Sequence, residues 1–151
     1  MIKKRIETTT KLINHLVLNG KKNKSEKITL KSIKALQKSS KKPAVKLFQL
    51  ALIHNTPIFK ISTSTQKKRT KRKRKARIRP AFISNKSART SFAISLIIKA
   101  ASKQKKQPFF QKFLFEILTS SQKESNSIEM KKDIQRQALS NRYFFRYYRW
   151  H

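Results

Sequence analysis

The sequence predicts a mainly α fold of six helices with one protruding two-stranded β-ribbon arm. Three observations predict it. Apolar residues recur at helical spacing on both sides of the middle of the chain. The period switches to two on either side of an uninterrupted cationic run. Finally, 39 Lys and Arg against 6 Asp and Glu leave a net charge of +33, whose self-repulsion disfavours a compact free state unless a counter-charge is supplied. A single domain with basic extensions, most stable when bound, fits.

The elements follow in order. Leu12, Ile13, Leu16 and Val17 predict a short first helix, with Thr8, Thr9 or Thr10 as its cap and Asn19-Gly20 as its left-handed stop. A second helix, capped by Ser25, carries Ile28, Leu30, Ile33 and Leu36. Pro43 suits the first turn of a third, which turns Leu47, Phe48, Ala51 and Leu52 inward and ends at Asn55-Thr56-Pro57. From Pro57, Phe59, Ile61, Thr63 and Thr65 alternate with Lys60, Ser62, Ser64 and Gln66, which reads as a strand. Ala76, Ile78, Pro80 and Phe82 alternate in the same manner, and Pro80 requires an edge position for that strand. Ala88, Phe92, Leu96 and Ala100 step through a fourth helix. Pro108 opens a fifth, with Phe110, Phe113, Leu114, Ile117 and Leu118 as its apolar stripe. After a polar break at 120–126, a last helix is expected from about Ser127 to Tyr148, with Glu129 and Asp133 near its positive end. Residues 1–151 read as one domain, and 59–82 as an arm within it.

Charge narrows the function. A value of +33 is roughly fourfold above the ~2 to 8 usual for a small soluble domain, so the main partner should be a polyanion. With 37% hydrophobic residues and ten Phe, the chain still has material for a core that a basic tail lacks. The absence of Cys removes disulfides and thiolate metal sites, and His15, His54 and His151 are scattered, so no metal and no cofactor are expected. A single Gly excludes phosphate-cradling loops, and with them nucleotide hydrolysis. No Ser/His/acid set is recognisable among so few carboxylates, so neither an enzyme nor a small-molecule substrate is expected. Apolar runs are too short to span a membrane, and residues 1–10 lack the pattern of a cleavable address.

Three stretches point to nucleic acid. The run 67–79 holds Lys67, Lys68, Arg69, Lys71, Arg72, Lys73, Arg74, Lys75, Arg77 and Arg79 with no acid, and no packed interior could contain it. It reads as a phosphate-contacting arm; the competing reading is a solvated loop or an import-like run. Lys21, Lys22 and Lys24 follow Gly20 at a helix–helix turn and offer a second phosphate-facing surface, against the alternative of a merely solvated helix face. At the end of the chain, Arg142, Arg146, Arg149 and Trp150 interleave with Tyr143, Phe144, Phe145, Tyr147 and Tyr148. Such a mixture lays guanidinium planes on phosphates and rings on unpaired bases, while Phe144, Phe145 and Tyr148 also suit a core.

Lys11-Leu12-Ile13-Asn14-His15-Leu16-Val17-Leu18-Asn19-Gly20-Lys21-Lys22, followed by Glu26 and Ile28, resembles the opening helix and Gly-Lys-Lys turn of the small-subunit ribosomal protein seven family. Pro57 before a strand, then Arg79-Pro80 and a helix containing Arg89, Phe92-Ala93-Ile94 and Leu96, is similar to that family's arm and the helix after it. Ala138, Asn141, Phe144, Tyr147, Arg149 and Trp150 resemble its ending, with one residue more between Asn141 and Trp150. The resemblance implies a six-helix bundle with a β-ribbon that binds the 3′ major (head) domain of small-subunit ribosomal RNA and supports head assembly. It also implies contact with neighbouring head proteins and a position near the exit-site transfer RNA and messenger RNA. By the same resemblance Lys11, Asn14 and Arg89 join the cations above as RNA-binding residues. The family's arm carries paired glycines near its turn, whereas this tip is glycine-free and wholly cationic. Scarce Gly and abundant Lys, Asn, Ile, Phe and Ser resemble ribosomal proteins encoded in AT-rich organelle genomes, which implies a mitochondrial ribosome, with a plastid one as the alternative. Two rivals lie outside the family. One is a histone-like architectural DNA-binding protein, which would hold duplex DNA as tightly as structured RNA. The other is a cationic membrane-surface protein, which would need one helix with Lys/Arg on one face and Trp/Leu on the other, a pattern the lone Trp150 does not supply.

Overall fold

A computed structural model describes residues 2–40, 42–64, 77–104 and 107–147. Among these the element order is α1 (Ile2–Leu16), α2 (Lys22–Ser39), α3 (Ala44–Asn55), β1 (Phe59–Ser64), β2 (Arg77–Phe82), α4 (Lys86–Lys103), α5 (Phe109–Ser121) and α6 (Asn126–Ser140), closed by a 3₁₀ helix, Arg142–Tyr147. The fold is thus six α-helices and a two-stranded antiparallel ribbon, as the patterning requires.

α5 forms the axis, although its buried face is half polar: Phe113 and Ile117 alternate with Glu116 and Ser120, while Phe110, Leu114 and Leu118 of the expected stripe are half-buried. It packs on α2, α3 and α4, and its Phe113 and Ile117 join Leu12, Leu36, Leu47, Leu52, Ile94 and Ile97 in one core. On α4 the buried face is Ala93, Ile94, Leu96, Ile97, Ala100 and Ala101. The expected stripe through Ala88 and Phe92 runs along its margin: Ala88 is exposed and Phe92 half-buried. Small alanines on that face let neighbouring helices approach closely.

The caps differ from expectation. α1 begins at Ile2, so Thr8 to Thr10 lie within it, because the straight-chain Lys3, Lys4, Arg5 and Glu7 already favour helix. α2 begins at Lys22, and Ser25 sits inside its first turn with Oγ donating to the Lys22 carbonyl at 2.7 Å. Thr29 and Ser32 likewise donate to the carbonyls of Ser25 and Ile28, both at 2.8 Å. These hydroxyls satisfy themselves on their own helix, so Ser25, Thr29 and Ser32 can be buried while Leu30 faces solvent. The stops hold as read. Asn19 and Gly20 adopt φ of 51° and 72° after α1, and α3 ends at Asn55, ahead of Pro57.

α5 and α6 meet in a buried polar knot. The hydroxyls of Ser120, Ser125 and Ser127 stand 2.9 Å from one another, and Glu116 Oε1, with 1% of the residue exposed, accepts from the Ser127 amide at 2.9 Å. That carboxylate lies at the positive end of α6, where an anion is favoured. The last helix is shorter than expected. It breaks at Asn141, whose side-chain amide donates to the Gln137 carbonyl at 2.8 Å and so competes with continued helix. Tyr148 lies outside the described residues.

The ribbon runs from Phe59↔Phe82 at its foot to Ser64↔Arg77 at the far end of the ladder, with Ile61 opposite Pro80 and Ser62 opposite Arg79. One further bond, from the Ile83 amide to the Ile58 carbonyl at 3.0 Å, extends the pairing below the foot.

Candidate nucleic-acid interface

The turn between α1 and α2 is built by its backbone. A Cβ at Gly20 would meet nothing within 4 Å, so the glycine is needed for its positive φ and not for space. The amides of Lys21 and Lys22 then donate to the carbonyls of Leu18 and Gly20. α2 starts after Lys21 with no side-chain cap, and Gly20, Lys21, Lys22, Asn23 and Lys24 line one open hollow, all exposed. Cations at the positive end of a helix dipole cost roughly 0.3–1 kcal/mol each. A bound phosphate reverses the sign of that interaction. The local counter-charge is Glu26, 3.8 Å from Lys22, with the lysine mostly and the carboxylate partly in water, a pair too weak to neutralise the turn.

A second cluster forms where α1 crosses the start of α4. Lys11 Nζ donates to Ser87 Oγ at 2.6 Å, while Asn85 caps α4 by accepting from the Ser87 amide at 2.9 Å. One turn on, half-buried Arg89 spends Nε on the Ile83 carbonyl at 2.6 Å, bracing the end of β2. The remaining edge of a guanidinium so held points its other N–H groups in a fixed fan. Asn14 is exposed one turn beyond Lys11.

On the ribbon, antiparallel register puts Lys60, Ser62, Arg79 and Ala81 on one face and Phe59, Ile61, Pro80 and Phe82 on the other. Arg77 is placed by its backbone in β2, and Arg146 by its backbone in the 3₁₀ helix. Lys67, Lys68, Arg69, Lys71, Arg72, Lys73, Arg74 and Lys75, with Arg149 and Trp150, lie outside the described residues. Near the end of the chain Arg142 is exposed, and Tyr143, 68% exposed, stands edge-on to Phe144 with centroids 5.8 Å apart. The two aromatic neighbours divide: Phe144 is only half-buried, and Phe145 joins the foot of the ribbon, stacked on Phe59.

The sequence reading thus separates into a turn cluster (Lys21, Lys22, Lys24), a crossing cluster (Lys11, Arg89) and the polar face of the arm (Arg79). It overlooked two cations beside these. Lys86, exposed, is the first residue of α4 next to its Asn85 cap, and Lys60 shares the face of Arg79. The Asn cap and the two-residue alternation were the available signals. Elsewhere polar groups serve the fold: His54 donates from Nδ1 to the Ser120 carbonyl at 2.9 Å, and Lys131 Nζ donates to the His54 carbonyl at 2.6 Å. Burial lowers the Lys131 ammonium below the ordinary lysine range. Among the described residues no three His, Cys, Asp or Glu converge as metal ligands, and no helix is long and apolar enough to cross a membrane.

Comparison with known proteins agrees with this arrangement. The model of a family described as ribosomal protein S7p/S5e matches residues 2–142. The small ribosomal subunit protein uS7 of Pseudothermotoga lettingae is 29% identical over 134 residues, covering 89% of this chain and 82% of that protein. Its counterpart in Thermotoga petrophila is 29% identical over 140 residues, covering 93% and 85%. That of Wigglesworthia glossinidia brevipalpis is 28% identical over 144 residues, covering 95% and 87%.

Proposed function

Because this chain belongs to the ribosomal protein S7p/S5e family, whose members are structural and non-enzymatic, we propose that it binds the 3′ major domain of small-subunit ribosomal RNA and supports assembly of the subunit head. The observation that carries this reading is the turn from Gly20 to Lys24. There three exposed lysines crowd an uncapped helix start that is electrostatically unfavourable until an anion arrives. Phosphate contacts of this kind position a protein on RNA and provide most of its affinity. Neighbouring small-subunit proteins complete the set of partners. The arm extends toward exit-site transfer RNA and the messenger, and the particle is that of a mitochondrion, a reading supported by the Gly-poor, Lys- and Phe-rich composition.

The test is sedimentation of the tagged chain from purified mitochondria under physiological salt, with chemical footprinting of the RNA. Co-migration with the small subunit and protection within the 3′ major domain are expected. Bulk protein free at the top of a gradient that holds intact particles would defeat the proposal. Equal affinity for duplex DNA and structured RNA would favour a DNA-packaging protein instead.

A further inference from the structure

The foot of the arm is an aromatic triangle. Phe59 and Phe82, directly opposite in the ladder, have ring centroids 4.8 Å apart at 55°. Phe145, from the closing 3₁₀ helix, stacks on Phe59 at 5.3 Å and 12° and meets Phe82 at 5.1 Å and 43°. A two-stranded ribbon alone is marginal in water and leaves its direction to whatever grips its base. Here one grip is Arg89, which holds the carbonyl of Ile83 just past β2. A second, among the described residues, is Phe145, whose ring bridges the two strands from outside the ribbon, beside α6, which also packs on β1 and β2. The flanking 3₁₀ residues carry Arg142 and Tyr143 into solvent.

We propose that Phe145 is a positioning residue for the arm. Its ring fixes the angle at which the ribbon leaves the bundle, so that the carboxyl-terminal 3₁₀ helix and the arm act as one rigid unit. Any contact that orders the 3₁₀ helix therefore pre-orders the arm, and a partner gripping the arm steadies Arg142 and Tyr143. Each ring pair of this geometry is worth roughly a factor of 2 to 12 in an equilibrium, so two pairs suffice to hold one direction against competing ones. The angle itself does not depend on what the arm binds; only the second readout below rests on the RNA-binding proposal.

The chain has no cysteine, so spin labels can be placed at will. Ser62→Cys on β1 and Ser102→Cys near the end of α4 are both at exposed positions, and the distance distribution between their labels reports arm direction without any RNA. Ser62 is three residues from the foot, a lever of about 10 Å, so a swing of about 30° moves the label by roughly 5 Å. Phe145→Ala and Phe145→Leu should broaden or shift the distribution by that order while helical content stays constant. Phe145→Tyr, which keeps the ring, should restore it. Should the alanine variant fail to fold, the leucine variant, which keeps the apolar bulk, decides the matter. A distribution unchanged in the folded variant refutes the proposal. Affinity for a head-domain RNA fragment is the second readout. Phe145→Ala, which removes both ring pairs, should weaken binding by up to roughly 4- to 140-fold in the full chain and leave it unchanged once Lys67 to Lys75 are deleted. Equal loss in both backgrounds would mean that Phe145 does not act through the arm. If the unsubstituted chain itself does not bind the RNA, the functional proposal falls, while the spin-label distances still decide this one.

Discussion

Neutralising the turn after α1 should change how binding responds to salt, and by different amounts for neighbouring lysines. Lys21 and Lys24 are exposed and border one hollow, whereas Lys22 is 3.8 Å from Glu26. Each phosphate contact releases close to one counterion, contributing about 0.9 to the slope of log affinity against log salt. Between 50 and 200 mM salt one such contact costs roughly 3.5-fold in affinity. Lys21→Ala and Lys24→Ala should each lower the slope by about that 0.9, and the pair together by about twice as much. Lys22→Ala should lower it less, since part of its charge already faces Glu26. Glu26→Gln frees that lysine from an exposed i,i+4 pair worth about 0.3–0.5 kcal/mol, so binding should tighten by up to about twofold. Lys34→Ala, in mid-α2 and exposed, is the control and should leave the slope alone. Fluorescence anisotropy with a labelled head-domain RNA fragment across that salt range measures all six variants. An unchanged slope in Lys21→Ala and Lys24→Ala, or weaker binding by Glu26→Gln, would show that the turn is only a solvated helix face.

The buried Glu116 gives a stability test. Removing it in Glu116→Ala orphans the Ser127 amide and should cost about 2–4 kcal/mol in urea unfolding, while Glu116→Gln, still able to accept that bond, should cost about 1. A fully stable alanine variant would contradict the capping role. Gly20→Ala meets no neighbouring atom, so its cost of about 1–2 kcal/mol should be purely one of backbone conformation, and Gly20→Asn should recover part of it. Thermal melts of the three proteins compare them directly. Deleting Lys67 to Lys75 should leave the circular dichroism of the helices unchanged while weakening RNA affinity; an unfolded deletion variant that keeps its affinity would overturn the assignment of the arm.

Periodicity carried most of the fold because burial imposes it. Leu47, Ala51 and Leu52, Phe113 and Ile117, and the alternation from Phe59 to Phe82 needed only one face to be dry, and the elements formed where those faces were written. Helix starts were less legible because they depend on which competing acceptor is used. Ser25 and Thr8 to Thr10 are good caps in isolation, yet Ser25 bonds back to the Lys22 carbonyl within a helix that had already begun, and α1 was propagated upstream by straight-chain residues. Leu30 shows the converse. Apolarity alone placed it with Ile33 and Leu36, but the buried side of α2 joins Leu36 to the self-satisfied hydroxyls of Ser25, Thr29 and Ser32, which hydropathy does not recognise. For the candidate interface, cation identity and the Gly20 turn were plain in the sequence. The junction of Lys11 with Ser87 spans 76 residues, and no local pattern encodes it.

The register of the ribbon has a consequence for its reach. From Phe59↔Phe82 to Ser64↔Arg77 the ladder spans five residue steps, about 17 Å, and its foot is clamped while its length is set by pairing alone. Inserting one residue in each strand beyond Ser62↔Arg79 would turn every distal side chain to the opposite face. Inserting two in each would preserve both faces and carry the cationic segment about 7 Å further out. Arm length is therefore a quantised variable, adjustable in paired increments without repacking a single helix. A lineage whose ribosome grows or shrinks around this protein can retune its span while the bundle stays as it is.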